Sequence, residues 1–153
     1  MTPGARTNQL LYQAELLLQI PAGDDEHTEA RRMAAEEGAL ALTELALQAL
    51  LREVTEHAHL PRHDWRELLG PEGASIAELQ RLRELAAREG SWLHWLIGRL
   101  AALHGDEGAA RRGRGGGGLI TVGGAGELGQ MLDDCLRQAK AEIAALRQTS
   151  QEW

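Results

Sequence analysis

Residues 39–51 read ALALTELALQALL, in which only Thr43, Glu44 and Gln48 are polar. Ala and Leu are strong helix formers, and the run contains no Gly or Pro. At 100° per residue its apolar positions cover nearly every side, and a helix that is apolar all round is buried all round. The stretch therefore predicts a helix running through the centre of a bundle. Working outward, only Gly38 interrupts the pattern from about residue 25 to 58, at a cost of about 1 kcal/mol relative to Ala. Asp24, Asp25 and Glu26 suit the positive end of the peptide dipoles at the helix start. Leu60-Pro61 ends the element.

The neighbouring segments repeat the helical period. Thr2-Pro3 can start a first helix, with Thr as cap and Pro in the first turn. Leu10, Leu11, Ala14, Leu17 and Leu18 line its apolar face, and Pro21-Ala22-Gly23 closes it. Residues 64–69 (DWRELL) read as a short helix. Ser75 and Glu78 have capping-box spacing ahead of Ile76, Leu79, Leu82, Leu85 and Ala86. Ser91 caps a further helix carrying Trp92, Leu93, Leu96, Ile97, Leu100 and Leu103. From Glu127 to about Gln148, Leu128, Leu132, Cys135, Ala139, Ile143 and Leu146 mark a last one. The expected fold is all-α: one domain over residues 1–153, an up-and-down bundle of four main helices with one or two short extra helices. Ten of the 22 residues from 105 to 126 are Gly, with Arg111, Arg112 and Arg114 among them. That composition predicts a flexible Gly/Arg-rich loop. Residues 119–122 (LITV) are β-like, but a lone strand has no partner.

Composition narrows the function classes. With 43% hydrophobic and 25% charged residues in 153, the chain is neither disordered nor fibrous. Sixteen basic against 23 acidic residues leave a net charge of −7, which repels a phosphate backbone, so a nucleic-acid partner is disfavoured. No stretch approaches the roughly 20 apolar residues of a membrane span, and the N-terminal apolar run is interrupted by Gln and Glu. A cytoplasmic location without membrane attachment is expected. Cys135, the one cysteine, cannot form an internal disulfide; between Leu132 and Leu136 it reads as an inert, partly buried thiol.

Several constellations could carry chemistry. Residues 124–129 (GAGELG) match the dinucleotide-binding glycine pattern. That fold needs a second parallel strand with an acidic residue about 20 positions on, and the 24 residues after Gly129 read as one helix. Glu56 and His59, near His57 and His63, have the Glu-x-x-His spacing of di-iron bundles, but the chain has no second such motif. No metal and no cofactor is expected. Arg52 and His57 share the R-x4-H spacing of HEPN-class helical ribonucleases, as do Arg99 and His104; the small polar residue that usually follows that Arg is replaced by Glu53 and Leu100. Arg111, Arg112 and Arg114 among glycines could contact phosphates or an acidic partner. Trp92 and Trp95 share one helical face and read as core. Trp65, in a short helix, and Trp153, at the end, are candidates for a partner contact, since Trp dominates interface energetics.

The chain also resembles an uncharacterised family of short, all-helical bacterial proteins. The resemblance rests on Arg6-Thr7-Asn8-Gln9, on Leu11-Tyr12-x-Ala14, and on Glu37-Gly38-Ala39-Leu40 with Leu45, Leu50 and Glu53. Leu60-Pro61, Ser91-Trp92-Leu93 and Glu152-Trp153 complete it. The Gly/Arg loop departs from the family's variable polar linker. The resemblance implies a helical bundle and a cytoplasmic location, and it carries no activity. The resulting expectation is a non-enzymatic interaction or structural protein that binds a protein partner or itself. A HEPN-like ribonuclease using Arg52 and His57, or a weak nucleic-acid binder, is the alternative.

Overall fold

The computed structural model describes residues 1–112 and 126–151. The described chain is all α-helical. Helix α1 spans Pro3–Gln19, α2 Thr28–Val54, α3 Trp65–Leu68, α4 Ala77–Ala87, α5 Trp92–Leu103 and α6 Glu127–Gln151, with a 3-10 turn at Glu56–Ala58. Five helices are substantial; α3 and the 3-10 turn are the short extras. Arg114, residues 119–122, Gly124, Glu152 and Trp153 lie outside the described residues.

Cap chemistry sets most boundaries. Thr2 Oγ1 accepts from the Ala5 N–H at 3.1 Å, with Pro3 in the first turn. Ser91 Oγ accepts from the His94 N–H at 3.0 Å and donates to the Leu85 carbonyl, which ties the start of α5 to the end of α4. Two expected starts differ. Helix α2 begins at Thr28, after the acidic run. Asp25 accepts from the His27 N–H at 2.8 Å and forks Arg31 through two 2.7 Å bonds. Helix α4 begins at Ala77, so Ile76 rather than Ser75 occupies the cap position and the capping box does not form. Ser75 Oγ accepts instead from Gln80 Nε2, and Glu78 faces Ser150 of α6.

Helix α2 is the central strut. Helix α1 runs antiparallel along it, with Thr7 beside Glu53 at one end and Leu17 over Gly38 towards the other. A Cβ on Gly38 would stand 2.8 Å from Leu17 Cδ2, so this glycine admits the neighbouring helix. Leu10, Leu40, Leu51, Leu82, Leu93, Leu100, Leu132 and Leu136 are among the side chains that meet in one continuous core. Each such Leu contributes roughly 1.5–3 kcal/mol by leaving water. Thr43 and Thr55 are tolerated there because each hydroxyl donates to the carbonyl four residues back, at 2.7 and 2.6 Å. Helix α6 closes the bundle antiparallel to α1, with Lys140 on Glu15 and Arg147 near Gly4.

Burial of α2 is not complete. Ala34, Ala41, Leu45 and Gln48, seven, four and three positions apart, form one ridge open to solvent. The start of the Gly/Arg segment is likewise more ordered than its composition predicts. Ala109 and Ala110 are buried, and both N–H groups donate to Glu37 Oε1, at 2.9 and 3.0 Å. Gly108, at φ 73°, makes the turn that brings them there. Among the described residues, no helix is long and apolar enough to cross a membrane.

Candidate functional site

The residues singled out from the sequence fall in separate places. Arg52 lies in the last turn of α2 and His57 in the 3-10 turn; both are exposed, and neither has a side-chain hydrogen bond among the described residues. Arg52 instead acts on His63: burial and then the Arg52 charge hold that imidazole below its ordinary pKa of 6.5. His59 ends the 3-10 turn in the left-handed region at φ 50°. Among the described residues, no three His, Cys, Asp or Glu side chains are grouped closely enough to hold a metal ion.

Trp65 requires a correction. It is 9% exposed and packs in the core, so it is not a surface anchor. The short helix α3 lies against α2, and the indole Nε1 donates to Glu44 Oε2 at 2.9 Å. The same carboxylate meets His104 Nε2 with both oxygens at 2.9 Å. An imidazole oriented by a carboxylate is two parts of a nucleophilic triad. The third part, a hydroxyl or thiol on the other ring nitrogen, is absent among the described residues. Trp92 is buried in the core as expected, and Trp95 packs at its margin. Burial pushes the Cys135 thiol up to about 12, which keeps it protonated and unreactive.

A second polar group joins three helices. Arg147 of α6 donates from Nε and Nη2 to the two oxygens of Glu53, at 2.6 and 3.1 Å. Its Nη1 reaches Asn8 Oδ1 at 2.9 Å and its Nη2 the Gly4 carbonyl at 3.2 Å. Thr7 Oγ1 adds a 3.2 Å bond to Glu53. The partners consume one another, so this cluster fastens the bundle end and presents nothing to a ligand. Arg111 is bound in a similar way: its guanidinium donates to the Gly108 carbonyl at 2.5 Å, and its own carbonyl accepts from Arg32. Arg112 is exposed.

One feature escaped the sequence reading. Tyr12, Leu16 and Ile20 stand four residues apart on the side of α1 away from its core face. They are 59, 43 and 61% exposed, and Leu45 on the open ridge of α2 is 45% exposed. Every exposed residue of α1 and its cap from position 8 to 20 is uncharged: Asn8, Tyr12, Gln13, Leu16, Gln19 and Ile20. The signal was readable as a second stripe at helical spacing, opposite Leu10 and Ala14.

No curated protein and no solved structure matches the chain. A sequence profile describing a family of unknown function, DUF6586, matches residues 1–153, and the chain belongs to that family.

Proposed function

We propose that this is a non-enzymatic helical protein that works by self-association, two copies meeting through the outward faces of α1 and α2. The supporting observation is the uncovered apolar stripe Tyr12, Leu16 and Ile20 on α1, with Leu45 on α2. Charge favours a second copy as the occupant. The chain carries a net charge of −7, so two copies repel at most orientations. The exposed positions of α1 from residue 8 onward and of α2 between Ala34 and Gln48 bear no charge. Two such faces can meet without desolvating an ion or opposing like charges. A two-fold contact would bury the same patch on both subunits. The ribonuclease and nucleic-acid alternatives have less support, because Arg52 and His57 share no hydrogen bond among the described residues and Arg111 is engaged within the chain. A buried free thiol needs no oxidising compartment, which fits a cytoplasmic setting.

Light scattering on the purified protein tests this reading, comparing the wild type with Leu16→Glu and Leu45→Glu. The expected result is a dimeric mass for the wild type and a monomeric mass for both variants, with unchanged helical circular dichroism. A monomeric wild type across the accessible concentration range overturns the proposal. So does a dimer that both glutamates leave intact.

A further inference from the structure

Resting on the self-association reading, the two copies have two ways to meet face to face, and the charges around the uncharged face distinguish them. Helices α1 and α2 lie side by side and antiparallel, with Thr7 level with Glu53 and Leu17 level with Gly38. At about 100° per residue, Leu45, Ala34, Ala41 and Gln48 sit about 20–80° around α2 from Gly38. Ile20 and Leu16 sit about 60–100° around α1 from Leu17, in the same sense. Antiparallel helices with stripes displaced that way carry both stripes on one side of the pair, with Tyr12 at its edge. The stripes also centre on one level. Leu16 is midway between Tyr12 and Ile20, and Ala41 is midway between Ala34 and Gln48. Interpolation between the two cross-helix contacts places Leu16 level with Ala41 to within about one turn.

Charge lies at the two ends of this face. Arg6 and Arg52 are exposed at one end, and exposed Glu56 beside them leaves that end basic by one charge. Arg6 donates to Gln9, which leaves its charge uncompensated. Asp24, Asp25 and Glu26 are exposed at the other end, in the connection between α1 and α2. Arg31 is committed to Asp25, so Asp24 and Glu26 have no arginine partner among the described residues; Glu26 has only the exposed His27 at 3.4 Å. We propose that the two-fold axis crosses the helices at Leu16 and Ala41, so that α1 lies antiparallel on α1 of the second copy and α2 on its α2. Leu16 and Ala41 then each meet their own counterpart, and Tyr12 meets Ile20 of the partner subunit. Arg6 and Arg52 of each copy face Asp24 and Glu26 of the partner subunit. The other two-fold, parallel to the helices, lays α1 on α2 of the second copy and brings basic end to basic end and acidic end to acidic end. Both arrangements bury the same apolar side chains. Exposed charge pairs contribute little singly, but they favour one arrangement and oppose the other at both rims, and charge contacts of that kind fix orientation.

The test is disulfide cross-linking of the full chain under mild oxidation, read on a non-reducing gel. Cys135 is buried, so an introduced cysteine is the reactive thiol. A disulfide needs Cα atoms within about 7 Å. The expected result is that Leu16→Cys and Ala41→Cys each cross-link to themselves, and that a mixture of Leu16→Cys with a size-tagged Ala41→Cys gives no mixed product. The charge contacts are read from the dimer dissociation constant. Arg6→Glu with Arg52→Glu weakens the dimer about tenfold, as does Asp24→Arg with Glu26→Arg, and all four changes in one chain recover most of the loss. A disulfide formed only in the mixture overturns the proposed axis, as does a four-fold variant no tighter than the two reversals. Either outcome in a protein that light scattering finds dimeric leaves self-association standing, whereas a monomeric wild type overturns both.

Discussion

Replacing Arg147 with Met removes the guanidinium and keeps a similar stem against the bundle. The guanidinium makes a two-pronged contact with Glu53 at 2.6 and 3.1 Å and two further bonds to α1, at Asn8 and Gly4. Exposed ion pairs contribute about 0–1 kcal/mol, and breaking a buried one costs about 3–5 kcal/mol. The side chains of Arg147 and Glu53 are 32 and 18% exposed, between those limits. Glu53 shares the single Thr7 hydroxyl proton with the Pro3 carbonyl, so that donor moderates the loss only in part. The expected destabilisation is about 2 kcal/mol, or a fall in Tm of about 4–8 °C for a chain of this size. Urea unfolding followed by circular dichroism measures it, with an unchanged slope showing that only stability moved. Arg147→Lys keeps the charge but loses the fork, so it should recover less than half of the loss. A double-mutant cycle with Glu53→Gln should give a coupling of about 1–2 kcal/mol. A loss below about 0.5 kcal/mol, or no coupling, refutes the view that this cluster fastens α6 to α1 and α2.

Two further outcomes follow from titrating groups. Cys135, held near 12 by burial against an ordinary 9.0, should resist maleimide in the folded protein and react at once in urea. Because folding raises this pKa, its contribution to stability is intact below about 9 and is lost as pH rises towards 12, so Cys135→Ala should flatten the fall in urea midpoint over that range. His63 should titrate below 6.5 by nuclear magnetic resonance, and Arg52→Gln should raise it only part of the way back, because burial is the larger cause. A depressed histidine pKa stabilises the folded state above 6.5 and loses that contribution as pH falls through the folded value; full recovery in Arg52→Gln would contradict the ranking of the two causes.

Most of the fold was legible because Leu and Ala at helical spacing dominate the chain. Thr2 and Ser91 mark their boundaries by local rules that depend on few neighbours, whereas α2 ends at Val54, short of the expected end before Pro61, and a 3-10 turn follows it. The misreadings came from tertiary partners. Trp65 looked like a surface residue in a four-residue helix until Glu44, 21 positions upstream, supplied the acceptor for its indole. Gly38 reads in the sequence only as a cost of about 1 kcal/mol relative to Ala, and Leu17 packed above it is the reason a glycine stands there. Residues 105–112 looked unstructured because composition cannot show that Glu37 collects two of their N–H groups. The run at 39–51 was read as buried on every side, and the open ridge at Ala41, Leu45 and Gln48 is where that inference stops. A pattern states that an apolar face wants cover; it does not state which molecule provides the cover.

The residues that carry the family resemblance bear on where function can reside. Thr7 and Asn8 hold Glu53 and Arg147, and Glu37 holds the turn at Gly108. Gly38 seats Leu17, and Ser91 joins α4 to α5. A polar side chain whose donors and acceptors are consumed inside the chain has little left for a ligand. These polar members of the motifs therefore specify how the helices close on one another, whereas Tyr12 and Leu45 of the same set stand exposed. Glu36 and Glu37, adjacent in sequence, are both engaged within the chain. Glu37 Oε1 takes two backbone N–H groups and is spent on the fold. Glu36 is placed more deeply, at 3% exposure, and pairs through Oε1 with Arg32. The uncharged ridges of α1 and α2, which include Tyr12 and Leu45, are the part of the described surface that these closures leave uncovered.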